Sequence, residues 1–141
     1  MSNRRRYTEA GSASVELAVG APAFALLLAL VLLAARVVTS QQAVETAAWD
    51  AARSASMTRE GNVAARAQQV ATASLANQEL TCADTDVAVD LSEYATQPGT
   101  PSSITVAVSC TVRLWDLPFD TPSTTVSSQA MSPTDSWRSA P

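Results

Sequence analysis

The pattern of apolar and polar positions changes sharply along the first third of the chain. After a polar start, residues 17–35 form an uncharged run, LAVGAPAFALLLALVLLAA. In a helix, these residues extend about 28 Å, close to the hydrocarbon thickness of a bilayer. We therefore predict a transmembrane helix over residues 12–36, which Arg36 closes. The alternative, a buried core helix, is disfavoured because a chain of 141 residues is too short to cover such a helix on all sides.

Beyond the anchor, the apolar positions take the spacing of an amphipathic helix. Between residues 37 and 57, apolar side chains recur along one narrow stripe that is mostly alanine. We expect this helix to continue directly from the transmembrane helix. After a break and N-cap at Gly61-Asn62, a second stripe predicts another helix that ends near Asn77.

The last part of the chain alternates with a period of two, which indicates strands. Residues 86–91 (DVAVDL) and 103–114 (SITVAVSCTVRL) show this pattern, and a weaker strand is predicted over residues 124–130. The predicted fold class is α+β: a long N-terminal transmembrane helix continuing into an exported helix, a second helix, and a small antiparallel β region. The exported domain is predicted to cover residues 37–131, with a disordered tail over 132–141.

The distribution of charge predicts how the chain is inserted. The net charge is −4, yet Arg4, Arg5 and Arg6 stand together before the anchor. Positively charged flanks remain in the cytoplasm, so the N-terminus is expected inside and the domain outside. A basic face on a folded domain, which nucleic-acid binding requires, is not present.

Composition also limits the chemistry that the chain can perform. There is no histidine and no lysine, which removes His-dependent catalysis, Ser–Lys pairs and His-ligated metals. Asp84, Asp86 and Asp90 lack the glycine and closing glutamate of a calcium-binding loop, so we interpret them as a solvated strand face. We predict a protein that is not an enzyme and has no cofactor, metal or small-molecule substrate. Core filling is the expected role of the aromatic residues, Trp49, Tyr94, Trp115 and Phe119, and an exposed binding surface is the alternative.

The two cysteines, Cys82 and Cys110, are expected to form a disulfide if the domain is exported. Cys110 lies on the apolar side of its predicted strand, and Cys82 follows the second helix. The bond would tie that helix to the sheet. Two free thiols are the alternative, and they would indicate a cytoplasmic domain.

A glycine and a glutamate mark the start of the anchor. The segment GSASVEL, residues 11–17, follows a short basic stretch and leads into the apolar run. This arrangement resembles the processing site of type IV prepilins. The resemblance implies that a membrane-embedded prepilin peptidase removes a leader, residues 1–11, by cutting after Gly11. Ser12 would become the N-terminus and Glu16 the fifth residue.

The residues at this border suit such a role. Glycine lets the backbone extend into a protease cleft, and the cut frees a positively charged α-amino group. Glu16 would neutralise that amine within an assembly, because a buried unpaired carboxylate is heavily penalised. Pro22 should loosen the helix, either as an ordinary kink or as a packing feature. Two alternatives are an uncleaved anchor and a secretory signal cut near Ala34 or Ala35.

The stretch after the anchor, QQAVETAAWDAARSASM, makes the resemblance more specific. Together with GSASVEL, it resembles the TadE-like family of pseudopilins, which accompany tight-adherence (Flp) pilus machinery. The matching positions are Gln42, Val44, Ala47, Ala48, Ala51, Ala52 and Arg53. The resemblance implies four kinds of partner: a prepilin peptidase, the pilus assembly platform, other pilins and membrane lipid. Other pilins are expected to pack on Glu16, Pro22, Ala47, Ala48, Ala51 and Ala55.

The leading hypothesis is a minor pilin or pseudopilin, cleaved after Gly11, that assembles or primes a Flp-type pilus. It would reside in the cell membrane as a single-pass protein, or outside the cell within a pilus. The alternative is an uncleaved, membrane-anchored binding module of the cell envelope.

Overall fold

The computed structural model describes residues 9–58, 62–95, 97, 99–114 and 122–135, with backbone only over 9–14. It contains two helices, α1 (Glu9–Met57) and α2 (Val63–Asn77), followed by three strands. The strands are β1 (Asp84–Asp90), β2 (Ser102–Arg113) and β3 (Ser123–Thr134). The predicted α+β class, with its long first helix and small antiparallel sheet, is confirmed. The chain divides into two compact units, residues 1–36 and 37–141.

The first unit is the apolar part of α1. The helix continues through Pro22, and its large apolar side chains point outward, with Leu17 73% and Leu32 70% exposed. A continuous apolar surface of this kind is not stable in water. Among the described residues, α1 is the one helix long and apolar enough to cross a membrane. The first unit therefore has the character of a single-pass membrane anchor.

In the second unit, alanine residues allow α1 and α2 to pack closely. The fully buried positions of α1 are Val44, Ala47, Ala48, Ala51, Ala52 and Ala55, and those of α2 are Ala67 and Ala71. Hydrogen bonds fix the pairing: Ser74 Oγ donates to Asp50 Oδ2 at 2.7 Å, and Arg66 Nε donates to Ser54 Oγ at 3.2 Å. Short side chains lose little rotamer entropy on burial, so this contact forms at low conformational cost.

Both ends of α2 are capped. Asn62 is the N-cap, as predicted, and its Oδ1 accepts from the Ala65 N–H at 3.1 Å. At the other end, the Leu80 N–H donates to the Leu75 carbonyl at 3.1 Å, and the Glu79 N–H to the Ala76 carbonyl at 3.0 Å. This is a Schellman motif, with Glu79 in the left-handed region at φ 56°. Glycine usually occupies that position.

The sheet has the order β1-β2-β3, and both pairs are antiparallel. Alternate residues of β2 face the helices and are buried: Ile104, Val106, Val108, Cys110 and Val112. On β1, Val87 lies opposite Val108 and Val89 lies opposite Val106. The alternation that predicted these two strands therefore corresponds to one buried and one solvated face.

The third strand is longer than predicted. β3 runs to Thr134, so residues 132–134, predicted as part of a disordered tail, belong to the sheet. The hydroxyls of Ser102 and Thr134 are hydrogen-bonded, and Thr134 Oγ1 donates to the Ser102 carbonyl at 3.1 Å. Pro133 is tolerated within β3 because β3 is an edge strand. Residues 136–141 lie outside the described residues.

β3 is an edge strand of the sheet, and its outer edge pairs with no other strand among the described residues. Gln41 of α1 reaches this edge, and its Nε2 donates to the Ser127 carbonyl at 2.9 Å. The Ser103 N–H donates to the Glu93 carbonyl, on the side of β2 that faces away from β3. Pro133 lies opposite Ser103 in the β2–β3 pair, so the pairing with β2 requires no N–H from Pro133. By the same alternation, the odd-numbered residues of β3 direct their backbone groups outward. The strand carries no charged side chain.

Candidate processing and assembly site

The predicted cleavage site lies in the first turns of α1. The helix begins at Glu9 and includes Gly11 and Ser12, whereas Arg4, Arg5 and Arg6 lie outside the described residues. A peptidase that cut after Gly11 would need extended backbone there, so this part of the helix would have to unwind first. Gly11, Ser12 and Ser14 are weak helix formers. These residues lower the free-energy cost of unwinding the helix at this site.

Glu16 and Pro22 occupy exposed positions at the start of the apolar helix. Gly20 lies one turn after Glu16, and a Cβ added at Gly20 would meet nothing within 4 Å. Pro22 has no N–H, so the Ala18 carbonyl loses its helical donor. A carboxylate and a carbonyl without its usual helical donor thus lie within two turns of each other. Polar groups at the edge of an apolar helix require partners, which other chains or water can supply.

The alanines predicted to pack against other pilins are buried inside the domain of their own chain. Ala47, Ala48, Ala51 and Ala55 have no exposed surface, because α2 and the sheet of the same chain cover them. Their close partner is this chain's own domain. Of the predicted packing residues, Glu16 and Pro22 remain open to a second subunit.

The predicted disulfide is formed. Cys82 and Cys110 are bonded, with a Cα–Cα distance of 5.4 Å and a sequence separation of 28 residues. Cys110 is fully buried on the inner face of β2. Just beyond Cys82, the Ala83 N–H donates to the Thr111 carbonyl at 2.7 Å, which extends the ladder ahead of β1. The bond therefore joins the connection after α2 to the central strand.

Sequence reasoning placed Trp49 in the core, and the structure shows it on the surface with 53% of its area exposed. Its neighbours one turn away, Glu45 and Arg53, are exposed as well. The signal was available in the periodicity, since a buried stripe through Val44, Ala48 and Ala51 leaves position 49 on the opposite side. Tyr94 is half-buried against the core. Trp115 and Phe119 lie outside the described residues.

The aspartates of β1 face solvent, as the strand pattern predicted. Asp84, Asp86 and Asp90 are all exposed. The Ser92 backbone N–H donates to Asp90 Oδ1 at 2.8 Å, and this bond to the carboxylate lowers the pKa of Asp90. Within the described part of the chain, no three acidic or cysteine side chains converge as metal ligands.

The comparison with known families finds a match to the first part of the chain. The model of the TadE-like protein family matches residues 11–53, from Gly11 through the anchor to Arg53. The predicted resemblance to this family is confirmed over that segment. No curated protein matches the chain, and no solved structure matches it.

Proposed function

We propose that this chain is a pseudopilin or minor pilin of a tight-adherence, Flp-type pilus, and that it assembles or primes the pilus without catalysing a reaction. The match of residues 11–53 to the TadE-like family carries this proposal. The family points to pilus-associated proteins in general. The residues of this chain supply the more specific roles.

The proposed topology follows from the charges around the anchor. Arg4, Arg5 and Arg6 hold the N-terminus in the cytoplasm, and residues 37–141 lie on the outer side. A prepilin peptidase removes the leader by cutting after Gly11. The assembly platform and other pilins of the same system are the remaining partners, and the protein resides in the cell membrane or within the pilus.

Glu16 is proposed to act after the cut. The new α-amino group of Ser12 is positive near neutral pH and lies one helical turn from Glu16. In a bundle of apolar helices, this amine and the Glu16 carboxylate of the same or a neighbouring subunit neutralise each other. The pairing removes the large penalty of burying either charge alone.

Substitution of the glycine before the cut tests the processing step. We expect Gly11→Val to leave a full-length precursor in the membrane, because a branched side chain obstructs the scissile bond. Gly20→Val is the matched control, since a Cβ at Gly20 meets nothing within 4 Å, and this variant should be shortened normally. Intact mass measurement of both proteins gives the result. A Gly11→Val protein that begins at Ser12 would refute the prepilin assignment, and an unmodified chain that keeps Arg4, Arg5 and Arg6 would favour the uncleaved binding module.

Removal of the carboxylate tests the assembly step separately. We expect Glu16→Ala to insert and to be cleaved as the unmodified chain is, because losing a carboxylate at the membrane border favours insertion. Its incorporation into sheared pili should fall at least tenfold. Quantification of the protein in membrane and pilus fractions measures both. Normal amounts in the pilus fraction would count against the proposed pairing.

A further inference from the structure

One side of α1 in the second unit carries exposed residues that the domain itself does not use. We define the outer stripe as Val38, Glu45, Trp49 and Arg53, which lie on the side of the helix opposite its buried alanines. Val38 is 56% exposed and Trp49 is 53% exposed. Among the described residues, no hydrogen bond or ion pair engages the side chains of Glu45 and Arg53.

The exposure of Trp49 is not explained by a membrane interface. Tryptophans often mark the headgroup layer, but Trp49 follows Arg36 by 13 residues. That length of helix rises about 20 Å, well beyond the headgroup layer. A half-exposed tryptophan between two charged residues is instead typical of the centre of a protein interface, where tryptophan and arginine supply much of the binding energy.

In one arrangement of two copies of the chain, the charges of one outer stripe are complementary to the charges of the other. Glu45 and Arg53 lie one turn before and one turn after Trp49. Two copies inserted in the same direction have parallel helices. In register, the parallel helices place like charges opposite each other. A stagger of eight residues, about 12 Å along the axis, instead places Glu45 of one copy against Arg53 of the other.

We propose that the outer stripe binds a second copy of this chain in this staggered, parallel arrangement. Glu45 pairs with Arg53 of the second copy, and the contact covers Trp49. The contact is heterologous, because it uses Glu45 of one copy and Arg53 of the other. This inference rests on the topology in the proposed function, because that topology makes the two helices parallel.

Charge reversal in the full-length protein, in its own membrane, tests the contact. A photo-crosslinking amino acid at the exposed position Gln42 should yield a covalent pair of copies. Glu45→Arg and Arg53→Glu should each lower the yield at least threefold, since each places like charges together. The double variant Glu45→Arg/Arg53→Glu restores opposite charges and should recover at least half of the yield. Trp49→Ala should also lower the yield of the crosslinked pair.

The control reverses charges that lie outside the stripe. Asp86→Arg and Arg113→Glu change exposed residues of the sheet and should leave the yield unchanged. The proposal is overturned if single reversals have no effect, if the double variant does not recover, or if the product contains another protein in place of the second copy. Cleavage after Gly11 is measured in the same samples. Normal cleavage with no crosslink rejects the outer stripe alone, whereas an uncleaved precursor rejects the proposed processing.

Discussion

At the scale of single residues, Glu79 shows how local strain can be tolerated at a helix end. The Schellman motif after α2 requires a left-handed residue, and Glu79 has φ 56°. An L-residue other than glycine adopts this conformation at a cost of about 1–2 kcal/mol. The hydrogen bonds from the Leu80 and Glu79 N–H groups to the helix carbonyls offset part of this conformational cost. Sequence gave no sign of this conformation, because the usual marker, glycine or asparagine, is not present.

We expect Glu79→Gly to stabilise the domain by about 0.5–1 kcal/mol, which is the relief of the left-handed strain less the greater chain entropy of unfolded glycine. Thermal unfolding of the full chain in detergent, followed by circular dichroism, should show a midpoint about 3–6 °C higher. Glu79→Ala is the control, because it removes the charge and keeps the Cβ. An equal gain from Glu79→Ala would attribute the effect to charge and not to backbone conformation.

At the scale of elements, α1 has two different surroundings within one unbroken helix. Before Arg36, leucine and valine face outward; after it, alanine and Val44 face inward. The alanine stripe was predicted correctly as the contacting side of the helix. Periodicity does not specify which element makes the contact, and the structure shows that α2 and the sheet of the same chain do so.

The buried alanines leave no room for a larger side chain. We expect Ala48→Leu to destabilise the domain by about 1–3 kcal/mol, because overpacking forces α1 away from its neighbours. Ala65→Leu, at an exposed position of α2, should change stability little. Urea unfolding of the two full-length variants in detergent compares them. If Ala48→Leu unfolds at the same urea concentration as Ala65→Leu, the close packing around Ala48 is wrong.

At the scale of the whole molecule, the sequence was sufficient for the order of the elements and for the antiparallel character of the sheet. Alternation predicted β1 and β2 to within about two residues, and spacing predicted α2. The length of β3 was underestimated because Pro133 and the serines and threonines around it suggest a loop. The strand is stabilised by its pairing with β2, and pairing between distant residues cannot be read from local composition.

The disulfide reports both stability and placement of the domain. By the chain-entropy model, closing a 28-residue separation contributes about 3.5 kcal/mol. We expect Cys82→Ser/Cys110→Ser to lower the free energy of unfolding by about that amount. Thiol labelling of the unmodified protein, denatured without reductant, should modify neither cysteine if the domain is exported. Two alkylated cysteines would contradict the bond and the outward placement, because the cytoplasm keeps thiols reduced.

The open edge of β3 affects the behaviour of the purified protein in solution. An uncharged edge strand of 12 residues recruits further strands and promotes aggregation at high concentration. Gln41 occupies one carbonyl of that edge, and Pro133 disfavours pairing at one end. Among the described residues, these two features leave the middle of the strand without a partner strand. The domain should therefore tend to precipitate as it is concentrated, and a lysine in place of the exposed Gln129 should keep it dispersed.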